Sequence, residues 1–541
     1  MVFIVLAMIC LLITSANSDY TRFVATSIGQ LEEAAIMHAA PSAPPPAQRL
    51  HKPLNVVIFY PDDWRHDDLG DVKSYVHTPF LSQLASRGIR FALNAVTTSI
   101  CWISRATLFS GQYLSRHGSN NLNVPRFAMP KPWRYSWPSL LQEHAGYYVG
   151  HLGKWQWYHV YDDYLKLKDM FNFSAIFEGS HVNKGTGLRN TAQMEEEFRK
   201  FMDQRPKDGK TPFAITLAYY PPKAVGSDTE PGAQWRFVDE DIRTQYYNES
   251  VVIPDPYPDE PNMTMEEAYQ NLAGPVRASE LRIGRGRWEQ RWSSPERYQV
   301  GMKNYYSLIT EVDRSCSRIY NMIEEEGLIN STMFIFVTDN GLFHGAHGLA
   351  GKWWPYQESI RVPLIIQDPR MEPVIRGTVD DKSMVLNIDL ASTILGAAGL
   401  DPAVVAKQFQ GKDIASSYLG EGERSFDRDE WYYEFTTDHA AGSTATALVG
   451  RRYKYIFWKR IEFEQLFDLQ EDPLELNDLG SSEEHKPILE SMRARHKELR
   501  AEVLKPCVPD TPCDVSSKAF NHTKFVGTFH SNDIAFQYNP P

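Results

Sequence analysis

One stretch, Asn55-Val56-Val57-Ile58-Phe59-Tyr60, constrains the fold most, because its apolar run stops abruptly at Pro61-Asp62-Asp63. A strand with one wet face alternates apolar and polar residues, whereas a run apolar throughout is covered on both faces. Similar runs recur at Phe213–Tyr219, Met333–Val337 and Val362–Ile366, with helical patterns between them at Pro79–Arg87, Met194–Met202 and Tyr298–Glu326. Strands alternating with helices predict an α/β fold, a mostly parallel central sheet flanked by helices. From about Glu430 the texture becomes β-rich, at Trp431–Thr436, Ala445–Trp458 and Gln465–Leu469. An amphipathic helix follows, with Ile488, Met492, Leu499 and Val503 on one face. The expected division is a larger N-terminal α/β domain over 54–428 and a smaller C-terminal α+β domain (antiparallel sheet plus helix) with its tail over 429–541.

Ahead of the sheet, Met1–Ile13 is apolar and small residues follow at Ala16 and Ser18, as in a signal peptide spanning 1–18. The alternative is a buried N-terminal strand. Residues 19–53 are rich in Pro and Ala and read as a linker. No later run reaches the ~18 apolar residues of a membrane helix. Sequons at Asn172, Asn248, Asn262, Asn330 and Asn521 suit a secreted or lysosome-like glycoprotein. In that oxidising setting Cys507 and Cys513 suit a small disulfide loop, Cys316 reads as an inert buried thiol, and Cys101 is left over. A net charge of −12 argues against nucleic-acid partners and anionic membranes, so an anionic substrate must meet a local positive pocket.

Two strand ends carry acidic or amide pairs, Asp62-Asp63 and Asp339-Asn340. In open α/β sheets, ligands bind beyond the carboxyl ends of the strands. Each pair alone could merely cap a turn. Gathered together they would need a cation, and all-oxygen ligands select Ca²⁺ or Mg²⁺ rather than Zn²⁺. Cys101-Trp102-Ile103-Ser104-Arg105 reads as a helix entry with Cys101 and Arg105 on one face, an anion site that would favour a nucleophile over a neutral thiol.

These residues resemble the sulfatases of the alkaline-phosphatase superfamily, whose signature is C-x-P-S-R followed by T-G-x-Y. Here Cys101–Arg105 is followed by Ser110-Gly111-Gln112-Tyr113, and Gly146–Trp155 resembles the second signature. Thr338-Asp339-Asn340-Gly341, His347-Gly348, Lys352 and Glu358–Pro363 resemble the later metal and sulfate block. The resemblance implies a calcium-dependent sulfuric ester hydrolase. In it Cys101, oxidised by a formylglycine-generating enzyme, becomes formylglycine, whose hydrate attacks sulfur and releases the alcohol. Asp62, Asp63, Asp339 and Asn340 would hold Ca²⁺ (or Mg²⁺), while Arg105, Lys154 and Lys352 would clamp the hydrate and the sulfate.

Three positions depart from the pattern: Ile103 replaces proline, Gln156 a histidine, and Lys223 the mid-chain histidine. Lys223 would serve the leaving oxygen, its pKa lowered by neighbouring positive charge, with His347 or His344 as base. Two rivals stay open: a pseudo-sulfatase that binds sulfated glycans without turnover, and a phosphoester hydrolase of the same superfamily. A sulfated carbohydrate is the expected substrate, because Arg277, Arg282, Arg285, Arg287, Arg291 and Arg297 interleave with Trp288 and Trp292. Guanidinium forks would bind sulfate and tryptophan faces would stack on sugar. The alternative is a surface excursion whose tryptophans pack on the domain.

Overall fold

The computed structural model describes residues 53–505 apart from short interior stretches (123–125, 129, 158–165, 183–185, 227–229, 236–238, 248–250, 258–259, 261–262, 402–406, 421–425 and 437–443). The expected signal segment, the linker up to residue 52, Cys507, Cys513 and the sequons at Asn248, Asn262 and Asn521 lie outside the described residues.

Eight strands form the main sheet: β1 (Asn55–Phe59), β2 (Ile89–Phe91), β3 (Tyr148–Gly153), β4 (Phe173–Ile176), β5 (Phe213–Ala218), β6 (Thr332–Val337), β7 (Leu364–Gln367) and β8 (Thr378–Asp380). Their order is β4-β3-β5-β1-β6-β7-β2-β8, and every pairing is parallel except those of β7 with β6 and β2. A parallel return needs a crossover of a dozen or more residues, usually a helix. The β6–β7 connection holds only short turns of helix at Ala346–Gly348 and Gln357–Ile360, so β7 comes back antiparallel.

The apolar run of β1 is buried on both sides, as its sequence requires. Val57 and Phe59 join Ile215, Leu217, Phe334 and Phe336 in one core with helices α1 (Pro79–Arg87), α4 (Asn190–Gln204) and α6 (Pro295–Glu325). The alternate residues face the other layer, α2 (Cys101–Ser110), α3 (Trp137–Ala145) and α7 (Asp389–Ala397), which pack on one another. Ser294 caps α6, its hydroxyl accepting the Arg297 amide at 3.3 Å, with Pro295 at the first helical position. From the middle of α6, Asp313 accepts the first amides of α1, Phe80 at 3.0 Å and Leu81 at 2.8 Å. Between them in sequence lies α5 (Arg282–Arg291).

The C-terminal sheet is antiparallel throughout, ordered β12-β11-β10-β9, from β9 (Glu430–Phe435), β10 (Ala445–Gly450), β11 (Tyr453–Trp458) and β12 (Phe463–Asp468). The expected Ala445–Trp458 stretch is a tight hairpin bent at Arg451-Arg452. Helix α8 (Lys486–Val503) covers one face, its Leu489 packing with Leu448, Tyr455 and Leu466. Edge strand β9 reaches the main sheet's loop just before Cys101. The Glu434 amide donates to Thr97 O at 3.0 Å, and the Tyr433 hydroxyl lies 2.7 Å from Ser99 Oγ.

Candidate active site

Four adjacent strands, in the order β3-β5-β1-β6, end where the chemistry-bearing residues begin. β3 runs into Lys154, β1 into Asp62 and Asp63, β6 into Asp339 and Asn340, and β5 into Lys223 after Tyr219-Tyr220-Pro221-Pro222. Because all four are parallel, their carboxyl ends share one edge of the sheet, where such folds bind ligands. Cys101, the first residue of α2, is brought to the same point and is buried there.

Lys352 Nζ donates to Cys101 Sγ at 2.8 Å and Lys223 Nζ does so at 3.3 Å, while Sγ donates to Asp62 Oδ1 at 3.2 Å. Lys154 pairs with Asp62 Oδ2 and Lys352 with Asp63 Oδ1. One turn along α2, Arg105 donates to Asp339 Oδ2 at 2.8 Å, lies 3.9 Å from Asp62 Oδ2, and sits 4.8 Å over the Tyr60 ring. Consecutive Asp62 and Asp63 reach the same spot because Asp63 adopts the left-handed region at φ 61°. That conformation is rare without local hydrogen bonds. Here the Asp63 carbonyl accepts the Tyr305 hydroxyl at 2.9 Å, and its amide donates to Asp339 Oδ1 at 3.1 Å.

Asp62, Asp63, Cys101 and Asp339 offer ligand atoms that all lie within 4.8 Å of one another. Asn340 Nδ2 donates to Asp63 Oδ1 at 2.7 Å, whereas its buried Oδ1 has no hydrogen-bond partner among the described residues. Three buried carboxylates and an unsatisfied amide oxygen form a donor set that fits a hard divalent cation.

Burial raises the Asp63 carboxyl, but Lys223 and Lys352 overcome it and hold the group below the ordinary carboxylate range. Burial also pushes the Cys101 thiol up, only partly opposed by the same two lysines. The helix entry therefore does not activate this thiol, contrary to the sequence expectation: α2 starts inside the protein, beside carboxylates. Lys223 needs a second correction. Burial alone would lower its ammonium, but Asp63, Cys101, Tyr220 and Asp339 together raise it, so it is charged at neutral pH.

His347 is not brought to the thiol. Its fully buried ring lies 3.5 Å from Glu358 and packs on Tyr356, and no hydrogen bond joins it to Cys101, Asp62, Asp63 or Asp339. His344 lies 3.3 Å from Asp68. The sugar-stacking role expected of Trp288 and Trp292 is overturned, because both rings are core residues, 7% and 2% exposed. Sequence reasoning missed Tyr305, Tyr60 and Tyr220, the last ring lying 5.8 Å from Lys154 Nζ. Tyr60 directly precedes Pro61-Asp62 and was within reach of inspection. Tyr305 sits in a helix of 31 residues with no local mark.

The family model for sulfatases matches residues 54–400, well over half of the chain. The chain belongs to the sulfatase family. Sulfatases are sulfuric ester hydrolases, and the C-terminal part of this one, residues 345–502, also matches the model for the C-terminal region of N-sulphoglucosamine sulphohydrolase. This sulfatase is 22% identical to an N-acetylglucosamine-6-O-sulfatase of Bacteroides thetaiotaomicron, over 85% of the chain and 88% of that protein. It is 25% identical to an arylsulfatase of Clostridium perfringens, over 81% and 92%. A structure solved in complex with its substrate D-glucosamine-2-N,6-O-disulfate superposes with a TM-score of 0.63 at 19% identity, covering 85% of the sulfatase and 99% of that chain. The phosphonate monoester hydrolase of Agrobacterium radiobacter shares the fold as well, with a TM-score of 0.62, 20% identity, and 83% and 96% coverage. Among the described residues of the sulfatase, no helix is long and apolar enough to cross a membrane.

Proposed function

We propose that this sulfatase removes sulfate from a sulfated carbohydrate, with Cys101 matured to formylglycine and one Ca²⁺ held by Asp62, Asp63, Asp339 and Asn340. The observation that carries the reading is the convergence of four neighbouring strand ends and the first residue of α2 on one buried point. A bound divalent cation supplies charge neutralisation at sulfate oxygens, and formylglycine at position 101 supplies the nucleophilic oxygen.

The remaining groups position and neutralise. Arg105, bonded to Asp339 and seated on Tyr60, fixes the carboxylates around position 101. Lys154 balances Asp62, and Lys352 spans Asp63 and position 101. Lys223, charged and 3.3 Å from position 101, holds the proton that the leaving alcohol oxygen needs. Apart from Lys223, which is partly exposed, the set is buried, which strengthens these interactions. His347 receives no step. Relatives named for N-acetylglucosamine-6-O-sulfate, and a structural neighbour holding a glucosamine disulfate, support a sugar substrate. The secretory location and maturation by a formylglycine-generating enzyme belong to the same proposal, and the exposure of Asn172 and Asn330 supports glycosylation there.

The test pairs 4-nitrophenyl sulfate with 4-nitrophenyl phosphate on the wild type and on Cys101→Ala. Turnover of the sulfate, lost in the variant, is expected; turnover of the phosphate alone overturns the reading. A second reading, binding without turnover, is favoured by Gln156, whose amide cannot act as a base. It would appear as retention on a sulfated-glycan resin with no sulfate released from any ester.

A further inference from the structure

Helix α5 is docked against the very loop that carries Lys352. Gly284 makes this possible: a Cβ there would stand 2.4 Å from the Trp354 ring, and the Gly284 carbonyl accepts the Ala350 amide at 3.0 Å. One turn further on, Arg287 lies over Trp353, Cζ 4.7 Å from the ring centroid, and Trp353 directly follows Lys352. One turn beyond that, Arg291 lies 5.5 Å over Trp235. Trp235 meets Tyr305 edge-on at 6.3 Å, and Tyr305 is the residue that holds the Asp63 carbonyl. Both arginines are thus seated on rings one residue removed from the catalytic cluster.

Three neighbours in the same basic segment are already engaged, and Arg282 is exposed to solvent. Arg277 donates to Gln270, Arg285 pairs with Glu266 at 2.6 Å and Glu289 at 3.2 Å, and Arg297 donates to the Gln290 carbonyl at 2.8 Å. Arg287 and Arg291, half-buried, make no hydrogen bond or ion pair with any described residue, and Arg291 Nε is a buried donor left unsatisfied. Buried cationic groups are ordinarily paired, because leaving them unpaired is costly. Burial and the Arg287 charge pull Arg291 down to about 9, only partly opposed by Asp63.

Resting on the hydrolase reading above, we propose that Arg287 and Arg291 form a second oxyanion subsite, which binds a carboxylate or a further sulfate on the same saccharide as the scissile ester. Two guanidinium forks at i and i+4 offer parallel N–H pairs that suit a planar or tetrahedral oxyanion, and the tryptophans beneath fix their planes. The substrate class is accordingly a sugar bearing at least two negative groups. The flanking Trp288 and Trp292 act from below as core residues and do not touch it.

The experiment measures kcat/KM on four esters: 4-nitrophenyl sulfate, a hexosamine monosulfate, a hexosamine disulfate and a uronate monosulfate. The wild type is compared with Arg287→Gln/Arg291→Gln and with Arg287→Lys/Arg291→Lys. The ratio of kcat/KM on a doubly charged sugar to that on the hexosamine monosulfate is expected to fall about 10- to 100-fold in the glutamine variant, the loss of one or two charge-assisted hydrogen bonds, and to do so through KM. The lysine variant keeps the charge without the fork and should recover part of the ratio. A fall confined to the disulfate identifies the second group as sulfate, and one confined to the uronate identifies it as carboxylate. An unchanged ratio in the glutamine variant, with sulfate still released, overturns the subsite and leaves the hydrolase reading standing. Absence of sulfate release by the wild type from all four esters overturns both.

Discussion

Lys454→Met should be among the most damaging substitutions outside the active site. Lys454 lies on β11 with its side chain 0% exposed, 2.6 Å from the equally buried Glu475. Its ammonium also donates to the Pro355 carbonyl at 2.8 Å, and Glu475 accepts the Gln357 amide at 2.7 Å. The pair therefore straps the C-terminal sheet to residues 355–357, just beyond Lys352. Burial pushes the Lys454 ammonium down and the Glu475 carboxyl up, so each charge is sustained mainly by the other. Removing one partner of such a pair costs about 3–5 kcal/mol, because the surviving charge stays buried and unpaired. Guanidinium titration followed by tryptophan fluorescence at pH 7.5 should show this loss. The carboxyl left behind has a folded pKa above its unfolded value, so its penalty grows as pH rises and should shrink at pH 5.5. Lys454→Met/Glu475→Gln removes both charges and should recover most of the stability, with coupling of about 2 kcal/mol or more. A loss under about 1 kcal/mol at pH 7.5, the magnitude of an exposed pair, would refute the reasoning.

Burial depresses His117 to about 3, and its ring Nδ1 accepts the Ser119 amide at 3.1 Å, which requires the neutral form. Its contribution is complete above about pH 6.5 and is lost as pH falls toward 3. Between pH 7.5 and 5.5 the wild type should therefore lose about 1.4 kcal/mol more than His117→Asn, and equal losses would count against it. Gly284→Ala should lower stability by about 1–3 kcal/mol and reduce sulfate release, because a Cβ meets the Trp354 ring at 2.4 Å. Gly286→Ala on the same helix meets nothing within 4 Å and should stabilise by about 0.5–1 kcal/mol; the opposite order in thermal melts would sink the docking picture. Exhaustive EDTA treatment should abolish turnover, with Ca²⁺ or Mg²⁺ restoring it better than Zn²⁺, given all-oxygen ligation. Full activity after chelation would remove the metal from the site.

Much of this arrangement is legible in the sequence. β1, β5 and β6 read as apolar runs because both faces are covered, and the acids at the ends of β1 and β6 necessarily meet at one sheet edge. β3 is harder to read, since Gly150, His151 and Gly153 interrupt its run. β2 and β8, at three residues each, are too short to show a period. The reversed direction of β7 was invisible because periodicity carries no direction. Charge reading marked the Arg277–Arg297 segment but could not say which side of α5 faces inward. The tryptophans went to the core, Arg287 came to rest on Trp353 beside Lys352, and Arg291 on Trp235. The state of Lys223 depends on Asp63 and Cys101, more than 100 residues away in sequence, at 3.4 and 3.3 Å.

Position 101 decides the chemistry most directly. The chain should be expressed in cells that possess a formylglycine-generating enzyme, purified, and digested, and the peptide spanning Cys101 weighed by mass spectrometry. Expected is the aldehyde in place of the thiol, in a fraction that tracks specific activity across preparations. Full sulfate-releasing activity in protein whose Cys101 is wholly an unmodified thiol would contradict the proposed mechanism.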